Sequence, residues 1–222
     1  MWVAELWRYP VKSLRGEQLG ETELLANGLP GDRLVHVRAP SGRIVTSRTR
    51  PRLLGLAGTL GPDGEPLIDE LPWNDPVSLA AVEAAAGAGA ELVRDDALER
   101  FDVLPLSILT DGAIAALDVD RRRLRPNILI GGVSGLAERR WPGRQLRIGE
   151  ATVALVRLRP RCVMTTFDPD TLEQDTGVLK DIVRRFGGTL ALNCDVVQGG
   201  SIRVGQQVEL HRAPAAKRAK SG

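Results

Sequence analysis

The chain of 222 residues has only two cysteines, Cys162 and Cys194, and only two histidines, His36 and His211. Two cysteines cannot build a disulfide framework, so a reducing, cytoplasmic setting is the expectation. The same scarcity excludes a ferredoxin-type cysteine set for an iron–sulfur cluster. Neither a dinucleotide fingerprint nor a flavin motif is present, so electrons for any redox reaction would have to come from a separate protein. No run approaches the roughly 20 apolar residues of a membrane span. Residues 1–9 mix Glu5 and Arg8 with their apolar side chains, which is not the basic leader and apolar stretch of a signal peptide. The formal net charge is only +2, too balanced for bulk nucleic-acid binding.

What is present is apolar content of 43%, enough in a chain of this length for one large domain or two small ones. The first half reads as short strands broken by frequent turns. A strand over 2–9 stops at Pro10, another covers 21–25, a hairpin joins 34–37 to 44–46, and a further strand is expected over 53–60. That rhythm suggests a small barrel or sandwich. Asp75-Pro76 offers an N-cap and first helical position for a helix over 77–86 that Gly87 ends, and 91–94 reads as one more strand.

A seam is expected at Asp95-Asp96-Ala97, dividing an N-terminal domain over 1–95 from a second over 96–212, with a basic tail over 213–222. In the second domain Thr110 should cap a helix reaching about residue 117, and 126–130 reads as a buried strand. Gly149-Glu150 should turn a hairpin between 145–148 and 152–158. Val178, Leu179, Ile182, Val183 and Phe186 recur at helical spacing, predicting an amphipathic helix over 177–186. Three more strands follow, over 190–197, 201–204 and 207–210. The fold class is therefore mainly β with a few α-helices (α+β).

The chemistry concentrates at residues 158–169. A strand feeds Arg159-Pro160-Arg161, and the next residue is Cys162. Guanidinium charge nearby favours the thiolate, the form that attacks electrophiles or binds a soft metal. The plain alternative is that Cys162 is a small buried apolar side chain, the usual fate of a free cysteine. Arginines cluster at Arg43, Arg48, Arg50 and Arg52 and again at Arg121, Arg122, Arg123 and Arg125. The two groups would suit an anionic small molecule if they converge, although any one of them alone is better read as a solvated surface charge. Lys12-Ser13, directly after a strand and a proline, could likewise serve a phosphate or merely a turn. Cys194, His36 and the four tryptophans, Trp141 included, read as structural.

In order along the chain, Arg125-Pro126-Asn127-Ile128, Trp141, Leu146-Arg147-Ile148-Gly149, Pro160-Arg161-Cys162 with Thr165-Thr166 and Asp168-Pro169, and Gly200-Ser201-Ile202-Arg203-Val204-Gly205 resemble a MOSC domain. The name refers to the C-terminal domain of molybdenum-cofactor sulfurase. Tyr9-Pro10-Val11-Lys12-Ser13, Gly28-Leu29 and Asp32-Arg33 are similar to the MOSC N-terminal β-barrel domain. The resemblance covers about residues 1–211 and implies a MOSC-type β-barrel beside a smaller strand-rich domain, with a pocket for the molybdenum cofactor (molybdopterin). It implies that Cys162 is a molybdenum ligand, that Asp102 lies beside the metal pocket, and that Lys12, Ser13, Arg33, Arg125 and Asn127 surround the pterin and its phosphate. Arg161 and Thr165, within the Cys162 motif, are placed in the cofactor site on the same ground. Three departures stand out: Val103-Leu104 where reductase members carry Thr-Ser, Pro160 where the mitochondrial enzymes carry serine, and Leu172 where a glycine ends the turn.

The activity implied is an oxidoreductase that reduces N-hydroxylated or N-oxide small molecules, with a flavin or iron–sulfur reductase as electron donor and neither nucleic acid nor membrane as partner. The alternative is a sulfur or cofactor carrier holding a persulfide on Cys162. A third possibility is a divergent member that keeps the barrel for another small anion.

Overall fold

The computed structural model describes residues 1–95, 97 and 101–213. Most of the expected tail, and Asp96 of the expected seam, lie outside the described residues. The first half contains β1 (Trp2–Arg8), β2 (Glu17–Leu19), β3 (Glu21–Leu24), β4 (Val35–Arg38), β5 (Ile44–Val45), β6 (Gly58–Leu60), β7 (Pro66–Ile68), β8 (Leu71–Pro72), α1 (Pro76–Ala86) and β9 (Glu91–Arg94). The second contains β10 (Leu106–Thr110), α2 (Asp111–Leu117), β11 (Ile128–Gly131), β12 (Arg144–Ile148), β13 (Ala151–Pro160), α3 (Thr176–Phe186), β14 (Thr189–Gln198), β15 (Gly200–Arg203) and β16 (Val208–Arg212).

The main sheet has eight strands in the order β16-β12-β13-β14-β10-β11-β1-β2. Only β10 and β11 run parallel, and α2 lies on the crossover between them, as a parallel connection requires. Strands from the first half thus complete the second half's sheet: β1 pairs with β11, and β3 pairs with β15. One face carries Leu6, Leu106, Ile108, Ile128, Ile130, Leu146, Val153 and Leu192 into a common core, the alternation expected of half-buried strands. The sheet curls until Trp2 bridges Gln207 and the Val208 amide donates to the Met1 carbonyl at 2.9 Å. No ladder joins β2 to β16, so among the described residues the expected barrel is a curled, open sheet.

The rest of the first half is two three-stranded sheets, β5-β4-β9 and β6-β7-β8. With α1 they enclose Val11, Leu14, Val35, Leu53, Ile68 and Val82. The caps read from the sequence form as expected. The Asp75 carboxylate accepts from the Val77 amide at 2.8 Å with Pro76 beginning α1, and the Thr110 hydroxyl accepts from the Ala113 amide at 3.1 Å at the start of α2. Gly187, left-handed at φ 63°, ends α3. On α3 the buried stripe is Val178, Ile182 and Phe186, while Val183 is 57% exposed.

The strand expected over 53–60 is a correction. Pro51–Gly55 is a 3-10 helix and only Gly58–Leu60 pairs as strand. Pro51 starts the helical turn with its φ already set. Leu53 and Leu54 are consecutive and both buried, as they would also be in a strand covered on both faces, so their apolar character does not separate the two arrangements.

Candidate active site

A cavity of about 280 Å³ opens between the two halves of the molecule. The first half contributes Lys12, Ser13 and Arg33; the second contributes Asp102, Arg125, Asn127, Arg161 and Cys162. Of the nine residues that the resemblance places at the cofactor site, only Thr165 does not line it. Its hydroxyl is buried and donates to the Cys162 carbonyl at 2.9 Å, so Thr165 shapes the turn that carries the thiol.

Tyr9 and Asp32 hold the floor of the cavity together. The Tyr9 amide donates to the Asp32 carboxylate at 2.8 Å, and the Tyr9 hydroxyl donates to the Pro126 carbonyl at 3.0 Å. The guanidinium of Arg125 lies over the Tyr9 ring at 4.1 Å, and that of Arg33 lies 5.4 Å from it, within the range of cation–π attraction. Burial pushes the Tyr9 phenol up to about 12, so it stays protonated as a donor. Asn127 is committed to the frame: its amide oxygen accepts from the Ser107 amide at 3.0 Å, and its nitrogen donates to Trp7 and Asp32, each at 3.3 Å. It joins the halves, with no donor left over for a ligand.

Three lining residues, Ser13, Arg33 and Arg125, have φ of 76°, 57° and 49°. Glycine would adopt this left-handed backbone at less cost. Retaining side chains there costs on the order of 1 kcal/mol each and is the kind of strain that collects at functional sites.

Among the described residues, seven cationic side chains line the cavity against one carboxylate, Asp102. Four of the cations have acidic partners. Arg33 pairs with Asp32, Arg123 with Asp168 at 2.9 Å, and Lys12 and Arg48 reach Asp102 from two sides at 2.8 and 2.7 Å. Burial would raise the Asp102 pKa, but the Lys12 hydrogen bond and the charges of Lys12, Arg48 and Arg33 hold it below the usual carboxylate range. The other three, Arg125, Arg159 and Arg161, have no carboxylate partner among the described residues. Burial, followed for Arg161 by repulsion from Arg159 and for Arg125 by repulsion from Arg33, lowers Arg125 to about 10 and Arg161 to about 9. Both therefore keep their charge at neutral pH.

Arg161 gives the clearest sign of a missing anion. One of its terminal nitrogens donates to the Leu124 carbonyl at 2.8 Å, while its Nε and Nη1 are buried without an acceptor among the described residues. Buried donors in native proteins are nearly always satisfied, and oxygens of a phosphate would satisfy these with charge assistance. Cys162, half-buried, sits at the head of the 3-10 turn Val163–Thr166 with its side chain in the same cavity. Among the described residues it is the one thiol of the wall, which also carries the weaker thioether of Met164. Among the described residues no three His, Cys, Asp or Glu side chains gather as a metal site, so a metal held at Cys162 would have to bring its other ligands with it. The donor set fits a phosphate-bearing cofactor that carries its own metal. The residues that would hold it are Arg125 and Arg161 at the anion and Cys162 at the metal.

The anticipated convergence of the two arginine clusters is realised by Arg48, Arg123 and Arg125 alone. Arg122 turns away to Asp120 and Asp170, Arg121 to Glu5, and Arg50 to the Ala86 carbonyl. Arg159, read in the sequence as charge near the Cys162 thiol but not as a cofactor contact, also lines the cavity. Leu172 adopts φ 62° where a glycine was expected. Its Cδ1 lies 3.2 Å from where a Cβ on Gly55 would stand, so the missing side chain at Gly55 gives its bulk room.

Residues 1–97 match the MOSC N-terminal beta barrel domain, and residues 103–209 match the MOSC domain. The chain belongs to the MOSC family. This MOSC protein is 28% identical to mitochondrial amidoxime reducing component 2 of Macaca fascicularis and to mitochondrial amidoxime-reducing component 1 of Homo sapiens, over 76% of its own length and 67% of theirs. It also superposes on the crystal structure of the YUAD protein from Bacillus subtilis with a TM-score of 0.53 at 14% identity, covering 96% of this chain and 100% of that one. The second likeness concerns the fold.

Proposed function

We propose that this MOSC protein binds the molybdenum cofactor through Cys162 and reduces N-hydroxylated or N-oxide small molecules, with electrons from a separate donor protein. The observation that carries the reading is the half-buried Cys162 thiol in a cavity whose Arg161 has two buried donors without acceptors. Relatives named amidoxime-reducing components supply the reaction class. When bound, the cofactor would supply two-electron chemistry for removing an oxygen atom from nitrogen.

The chain's own part is binding and orientation. Arg161 and Arg125 hold the anionic tail, with Arg125 braced on Tyr9. Cys162 offers its sulfur as the fixed ligand, held by a turn that Thr165 and Thr166 close through hydrogen bonds to the Cys162 and Val163 carbonyls. Asp102, kept ionised by Lys12 and Arg48, stands at the rim, 37% exposed, as a fixed negative charge for an incoming substrate's donor groups. Val103 and Leu104, already seen in the sequence as a departure from the Thr-Ser of reductase members, give the rim an apolar stretch. Two free thiols support a reducing, cytoplasmic setting.

Expression in a host that makes the cofactor, followed by metal and pterin analysis, tests the reading. Near-stoichiometric molybdenum that is lost in Cys162→Ala supports it. A cyanide-labile sulfur on Cys162 without metal would overturn it in favour of a sulfur carrier.

A further inference from the structure

Arg159 lines the cavity beside Cys162, and its partner differs from that of the other braced arginines. Where Arg33 and Arg123 lean on aspartates, Arg159 donates from Nη1 to the amide oxygen of Asn193 at 2.7 Å. Asn193 lies fully buried in β14. A neutral acceptor fixes the direction of a guanidinium without cancelling its charge, so the charge stays available to a ligand.

The strand geometry shows how the pair is made. Leu155 of β13 faces Cys194, yet Arg157 faces Asn193, so Val156 is an extra residue opposite a single step of β14. A bulge of this kind reverses the alternation beyond it and re-aims side chains near functional sites. Beyond it Leu158 packs on the same core as Leu155, and Arg159, one residue on, is turned to the opposite side. Asn193 lies on that side too, between the core residues Leu192 and Cys194. Across its two ladders Asn193 faces Arg157 of β13 and Ser107 of β10, the latter likewise buried and uncharged. No carboxylate contacts the pair among the described residues.

We infer that Arg159, aimed by Asn193, is an additional binding residue for anionic oxygens at the Cys162 end of the cavity, with Asn193 as its positioning residue. The inference rests on the cavity being the ligand site. It also bears on Val103, Leu104 and Pro160, which leave that part of the wall without hydroxyl donors; Arg159 supplies a charged fork where several neutral contacts are missing. The ligand chemistry is a phosphate or carboxylate, from either the tail of the bound heterocycle or an acidic substrate.

The test uses the full-length, cofactor-free protein with inorganic phosphate as the probe, measured by calorimetry at neutral pH. Arg159→Ala and Asn193→Asp should each weaken phosphate binding about tenfold or more, and Asn193→Ala by about threefold, since each good charge-assisted contact is worth that order. Asn193→Asp separates aiming from architecture, because it keeps an acceptor for Arg159 while cancelling the charge. A stabilised Asn193→Asp protein with lost phosphate affinity supports the inference. Arg159→Ala binding phosphate like wild type while Arg125→Ala and Arg161→Ala fail would overturn it and leave the proposed function standing. If none of the three affects phosphate, both fall. In protein from a cofactor-making host, lost pterin in Arg159→Ala assigns the contact to the tail. Retained pterin with a raised KM only for carboxylate-bearing N-hydroxylated substrates assigns it to the substrate.

Discussion

Cys194, inside β14, and Cys162, just beyond the neighbouring strand β13, experience opposite surroundings. Cys194 faces Leu155 and Leu106 across its two neighbouring strands, with no exposure. Burial raises its thiol pKa far above the usual range, so it is neutral and behaves as a small apolar side chain. Cys162 lies two residues past the end of β13, half-buried beside Arg159 and Arg161. The side chain is identical in both. Strand pairing seals one, whereas the other lies where the strand has ended and the turn exposes it to a cationic cavity.

Thiol labelling should give the largest contrast. In the native protein one thiol, Cys162, should react readily, while Cys194 should react at least about 1,000-fold more slowly, because reaching it requires opening the core. Comparable rates, read by mass spectrometry of labelled peptides, would break the comparison. Substitution should show the converse order in stability. Cys194→Asp places an unpaired charge in hydrocarbon and should cost about 3–5 kcal/mol, while Cys162→Ala should stay within about 0.5 kcal/mol of wild type. Urea unfolding measures both.

Two smaller effects sharpen the cavity side. Asp102→Asn removes the carboxylate that competes for Lys12 and Arg48, so phosphate should bind the cofactor-free protein about threefold more tightly, the order expected of a partly exposed charge. Because the folded pKa of Asp102 is depressed, the bridge's stabilising contribution is present above the ordinary aspartate pKa and is lost as pH falls through the lowered value. The variant and wild type should therefore converge in phosphate affinity in acid and differ from about pH 5 upward; a difference that grows on acidification would reverse the assignment. The smallest effect is at Ala191, left-handed at φ 73° in β14 between the Asn193 register and the Cys162 turn. Ala191→Gly should stabilise by no more than about 1 kcal/mol, read as a small rise in Tm, because relief of the strained backbone is offset by glycine's greater freedom when unfolded.

Local chemistry was the legible part. Asp75, Thr110 and Gly187 mark helix ends because a cap needs only its own and the next few residues. Leu53 and Leu54 misled because a run of apolar residues does not distinguish a buried strand from a buried turn. The cavity was half legible. Cys162 and the two arginines before it are close in sequence, and the left-handed sites at Ser13 and Arg33 follow turn signals, whereas Arg125 follows only a basic run. The Arg159–Asn193 contact spans 34 residues and depends on a bulge that leaves no mark in composition.

The amino-acid order alone determined most of the segments that become strand or helix and placed one thiol directly after two arginines at a strand end, since these follow from periodicity, capping and near-neighbour charge. Tertiary structure decided which arginines matter. Only the pairing of β1 with β11 and the curl of the sheet bring Lys12 and Arg33 across to Arg125 and Cys162, and only burial determines which charges are matched by a carboxylate and which are left for a ligand.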